Sequence, residues 1–115
     1  MDEQQQQTWN EFRELVNMKP SQLAKWLETA ESLDAGQHKD GGESTGHASG
    51  RRILGILHTR KDDLTDADHQ HMRKVVGYIR RHLAQRPAGD VRDTRWRHSL
   101  MNWGHDPLAG EDHPS

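Results

Sequence analysis

With 115 residues, no cysteine and a net charge of −2, the chain has the length of one small domain and no disulfide or thiolate chemistry. Its 18 Leu, Ile, Val and Phe residues make a thin core, which four Trp enlarge. No apolar run nears the ~18 residues of a membrane span and "MDEQQQQ" is no secretory leader, so a cytoplasmic protein without a membrane partner is expected.

The spacing of apolar residues predicts five helices and no strand, hence an all-α bundle. Residues 1–5 are expected to be disordered. A first helix, about 6–17, puts Trp9, Phe12, Leu15 and Val16 on one face. "KPSQLAKWLETAES" follows, with Pro20 in the first turn, where a missing N–H is harmless, and Leu23, Trp26, Leu27 and Ala30 inward. The Gly-rich "DAGQHKDGGESTGHASG" has no periodicity, and residues 34–49 are expected to form a long flexible loop. Ser49 is a candidate cap for a third helix over about 50–61, whose apolar side is Ile53, Leu54, Ile56 and Leu57.

Thr65 followed by Asp68 resembles a capping box and starts a helix over about 66–85, with Met72, Val75, Val76, Ile79 and Leu83 in register. "QRPAGD" ends it. The last helix should run from near Asp93 to Gly104, a natural C-terminal cap with Pro107 just beyond. Within it Trp96, Leu100 and Trp103 share an inward face, whereas Arg95, His98 and Asn102 lie on a face free for solvent or a partner. The acidic residues 105–115 read as a disordered tail.

The small net charge hides a polarised chain. Residues 1–46 carry net −5, residues 47–104 net +6, and residues 105–115 net −3. A basic middle block points to nucleic acid or another anionic partner. Helix geometry places Arg73, Lys74, Arg80 and Arg81 opposite the apolar stripe of the fourth helix, with Gly77 among them. Arg51, Arg52 and His58 surround Gly55 on the third helix in the same way. A glycine inside a helix costs about 1 kcal/mol against alanine. Two such glycines either let a phosphate backbone approach or mark helix–helix packing. Arg51, Arg52, Arg73, Lys74, Arg80, Arg81 and Arg95 are the candidate DNA-binding residues. Their contacts would be phosphate-dominated and weakly sequence-specific, since no base-reading motif accompanies them. Double-stranded DNA is the favoured partner, with a protein partner as the alternative, the acidic N-terminal helices then pairing with the basic face.

Nine histidines raise the question of metal. His69 and His71 diverge by about 200° on a helix, and no H-E-x-x-H occurs, so neither a metal nor another cofactor is expected. No nucleophile elbow, P-loop or dinucleotide fingerprint is present, and neither an enzyme activity nor a small-molecule substrate is expected.

At "GHASGRRILGIL", "HMRKVVGYIRRHLAQRP", "TRWRHSLMNWGHDPL" and "VNMKPSQLAKWLETAES" the chain resembles a family of unknown-function domains from bacteria and fungi, often labelled DNA-binding proteins. That resemblance implies DNA binding and supplies no catalytic residues. "PSQLAKWL" and "SGRRILGIL" also resemble the two helices of the SAP motif, a helix–loop–helix that binds DNA. By that likeness Arg51 and Arg52, at the start of the second helix, would face phosphate. The connecting loop here is longer than the SAP pattern.

Overall fold

Six α-helices and a 3-10 turn at Lys61–Asp63 make up the regular structure of the computed structural model, which describes residues 1–35 and 44–109. The all-helical expectation holds, with no strand among the described residues. No helix there is long and apolar enough to cross a membrane.

Helix α1 (Glu3–Leu15) begins earlier than the apolar spacing suggests, and the structure corrects the expected disorder of residues 1–5. The Asp2 carboxylate accepts from the Gln5 backbone N–H, and the Asp2 N–H donates back to Gln5 Oε1. This reciprocal box satisfies two N–H groups that a helix start otherwise leaves open. Gln5 Nε2 also donates to Asp66, tying the start of α1 to that of α5.

The segment expected as one second helix is two, α2 (Pro20–Leu27) and α3 (Ala30–Asp34). Thr29 divides them, its hydroxyl donating to the Trp26 carbonyl while accepting from the Ser32 N–H. Ala30 is exposed as a result, not inward.

Helix α4 (Thr45–Leu57) starts about five residues before the expected third helix, capped by Ser44, whose Oγ accepts from the His47 N–H. Ser49, the expected cap, is buried inside it. Much of the Gly-rich stretch is therefore helix, and two of its glycines are crossing points. A Cβ at Gly50 would stand 2.5 Å from the Asn102 carbonyl oxygen and 2.6 Å from Leu27. One at Gly46 would stand 3.3 Å from the Trp103 indole nitrogen. The rest of the expected loop, residues 36–43, lies outside the described residues.

Helix α5 (Asp66–Leu83) has the expected start, with the Thr65 hydroxyl accepting from the Asp68 N–H and the Asp68 carboxylate accepting from that of Thr65. Helix α6 (Arg95–Asn102) is capped by Thr94 and buries Trp96 and Leu100, with Trp103 buried just beyond it, as their spacing predicts. Gly104 ends it at φ +83°, a conformation that glycine adopts without strain.

Two expectations for this end of the chain are corrected. Asn102 is fully buried rather than free: its Oδ1 accepts from Trp26 Nε1 and Ser32 Oγ, and its Nδ2 donates to the Ser32 carbonyl. Residues 105–109 are held rather than disordered. His105 Nδ1 lies 2.6 Å from the Leu15 carbonyl, Asn17 exchanges hydrogen bonds with the Asp106 backbone, and Leu108 is buried. The remainder of the expected tail, 110–115, falls outside the described residues. The core lies where α1 packs on α5 and where α4 and α6 cross, around Phe12, Leu23, Ile53, Met72, Ile79 and Leu100.

Candidate nucleic-acid interface

The outer face of α5 is cationic because its apolar residues take the inner face at helical spacing. Arg73, Lys74, Arg80 and Arg81 are all exposed there. The structure divides them by partner. Arg80 bonds Glu11 of α1 at 2.7 Å, and on α4 Arg52 lies 3.5 Å from Asp68. The Thr65 backbone N–H, aided by Arg52, holds the Asp68 carboxyl below the usual carboxylate range. Arg73, Lys74 and Arg81 have no acidic partner among the described residues. Arg51 is exposed in the second half of α4, not at the helix start that the SAP likeness implies for it and Arg52.

The two glycines of the basic faces are not packing points. A Cβ at Gly55 would meet nothing within 4 Å. One at Gly77 would meet only the end of Arg81, Nη1 at 3.0 Å, so the guanidinium folds down over this glycine. Packing falls instead to Gly46 and Gly50, whose four-residue spacing on one helix face was the available signal.

Arg95 is partly committed: Nη2 donates to the Asp34 carbonyl at 2.7 Å and Nε to that of Ala35 at 3.3 Å, capping the end of α3. Arg97, opposite it, is closed off in a two-pronged pair with Asp106, both bonds at 3.1 Å. Neither arginine stands as an unengaged surface cation.

Between α5 and α6 the rings of five residues form a ladder. In order these are His71, Trp103, Tyr78, His82 and Trp96, with centroids 6.3, 4.1, 5.2 and 6.0 Å apart and planes within 15°. Trp96 Nε1 donates to the His82 carbonyl, and His82 Nε2 lies 3.2 Å from the Trp96 carbonyl. Burial lowers the pKa of both His71 and His82, and the Arg52 and Lys74 charges lower that of His71 further. The three inner rings have both faces covered, so a nucleic-acid base has no platform among them.

A cleft of about 580 Å³ opens beside this ladder. Lys74 and Arg81 line it from α5, Arg95 from α6, and Gly46 from the first turn of α4; Tyr78 and Trp103 form its floor. No Asp or Glu is among its described lining residues. The structure thus brings three of the seven sequence-selected cations, Lys74, Arg81 and Arg95, into one concavity. Arg51, Arg52, Arg73 and Arg80 stand outside it.

Residues 11–101, most of the chain, match the domain family described as Protein of unknown function (DUF3140). The chain belongs to that family. No curated protein and no solved structure matches it. The DUF3140 region spans α4, α5 and all but the last residue of α6; of the ladder, Trp103 lies just beyond it. Among the described residues no three His, Asp or Glu side chains cluster as metal ligands. Five of the seven described histidines instead hydrogen-bond within the protein, as His47 to the Leu27 carbonyl and His58 to that of Leu54.

Proposed function

We propose that this DUF3140 protein binds double-stranded DNA in the cytoplasm through the outer faces of α4 and α5. The observation that carries the reading is the row Arg73, Lys74 and Arg81, three exposed cations on one helix with no acidic partner among the described residues. Arg51 extends the basic surface onto α4, and Arg52 joins the two helices at Asp68. Gly55 leaves low ground on α4, where a phosphate backbone can approach closely, and over Gly77 the nearest group is the Arg81 guanidinium itself. Guanidinium and ammonium groups displace condensed counterions from phosphates, so affinity falls steeply with salt and depends little on sequence. The family match names no activity, and the SAP likeness lends little, since Arg51 and Arg52 fall within α4 and not at its start.

A fluorescence-anisotropy titration of a labelled duplex at several salt concentrations tests it. Binding at micromolar protein and low salt is expected, with log K falling by about 0.9 per phosphate neutralised for each tenfold rise in salt. Arg73→Glu combined with Lys74→Glu and Arg81→Glu should abolish the signal at unchanged helicity. Absence of binding by the unaltered protein at low salt rejects the reading. One observation favours a second reading, a protein-interaction module in which acidic helices pair with the basic face: Glu11 of α1 already bonds Arg80. In that case salt-sensitive self-association in a sizing run would replace the DNA signal.

A further inference from the structure

The cleft differs from the rest of the basic surface in being concave and in holding cations that converge. A continuous duplex offers singly charged phosphodiesters on a convex outline, which suits the open faces of α4 and α5. The cleft has the volume of a mononucleotide-sized ligand and three cationic side chains, Lys74, Arg81 and Arg95, with no carboxylate among its described lining residues. Arg95 is fixed through its bonds to the end of α3, leaving Nη1 without a bond among the described residues. Arg81 lies over Gly77, where a side chain would meet its guanidinium.

A second observation points into the same space. Trp103 is only 4% exposed, lines the cleft, and its indole N–H has no acceptor among the described residues. That nitrogen faces Gly46, at the start of α4, where the Ser44 hydroxyl caps the His47 N–H and the N–H groups of Thr45 and Gly46 have no helical partner. Only a glycine there keeps this donor open. The ring ladder covers the faces of Tyr78 and Trp103, so the cleft offers charge and N–H donors, not a stacking surface.

We infer that the cleft is a phosphomonoester site: it takes a terminal phosphate dianion, either the 5′-phosphate of a DNA end or that of a free mononucleotide. A phosphomonoester carries about −1.5 to −2 charges at pH 7 and three acceptor oxygens, which matches convergent cations and an unpaired indole N–H. In its first form the inference rests on the DNA-binding reading and names which part of the DNA the cleft holds.

The test compares three labelled duplexes of equal length, one 5′-phosphorylated, one with 5′-hydroxyl ends and one closed by hairpins at both ends. Titration with deoxyadenosine 5′-monophosphate and with deoxyadenosine, followed by calorimetry, runs beside them. The phosphorylated duplex should bind at least about tenfold more tightly than the other two. Lys74→Gln with Arg81→Gln should weaken all three duplexes, since both residues belong to the basic row, and bring the ratio to one, whereas Arg73→Gln should weaken all three and leave the ratio unchanged. Thermal melts show whether each variant is folded.

If no duplex binds but the monophosphate does, and deoxyadenosine does not, the DNA reading fails and the cleft is a free-nucleotide site. If all three duplexes bind alike and the monophosphate does not bind, the phosphomonoester site is overturned while the DNA reading stands. If neither duplex nor monophosphate binds, both are overturned.

Discussion

Gly50 and Asn102 meet where α4 crosses α6, and neither can change without moving the other. Gly50→Ala would press a methyl group to 2.5 Å from the Asn102 carbonyl, and should lower the melting temperature by several degrees. Gly55→Ala, five residues along the same helix, meets open space and should stabilise by about 0.5–1 kcal/mol through helix propensity. A pair of thermal denaturation curves of opposite sign is the expected result. Asn102→Ala strands the Trp26 indole N–H and the Ser32 hydroxyl in a buried site and should cost about 2–4 kcal/mol in urea unfolding. The spacing of Gly46 and Gly50 hints at a crossing, but its partner is not legible in sequence. The partners of Asn102 lie 70 and 76 residues away, so its helical position could suggest a free face but not what fills it. Trp96, Leu100 and Trp103 were readable because their burial follows from spacing alone.

Helix starts show the same division between local and distant causes. Thr65 and Asp68 each bond the other's backbone, so the capping box is written in four consecutive residues. Thr65→Ala should cost about 0.5–2 kcal/mol, read as a lower urea midpoint at unchanged slope. The polar start of α1 gives no such hint of its packing; Asp2 caps it locally, but Thr8 and Phe12 become buried only because α5 lies alongside. Likewise α4 begins among glycines that read as loop, since their helical role depends on Trp103, Asn102 and Leu27 being opposite. The cations were found by helix spacing, but the divide between paired Arg52 and Arg80 and unpaired Arg73, Lys74 and Arg81 needed the neighbouring helices. Reversing the outlying pair, with Glu11→Arg and Arg80→Glu together, should leave stability within about 1 kcal/mol of the starting protein, as exposed ion pairs contribute little.

For the molecule as a whole, acid acts through the ring ladder. His71 and His82 titrate below the ordinary histidine value near 6.5 because burial disfavours their charged forms. As pH falls, the unfolded chain takes up these protons first. Stability is therefore full above about pH 6.5, declines as pH drops through that value, and levels once both folded-state pKa values are passed. The urea midpoint should be lower at pH 5.5 than at 7.5, and His71→Gln with His82→Gln should flatten the difference. The last helix also dictates the order of events in making the molecule. Helix α6 touches α2, α3, α4 and α5, and the turn after it anchors Leu15 and Asn17 near the start of the chain. Elements synthesised first thus await the last described segment before their apolar faces can close. Until then the sides of α2 and α4 that α6 covers stay open on a nascent chain emerging at about 5–20 residues per second, a window of several seconds in which a chaperone has the most to protect.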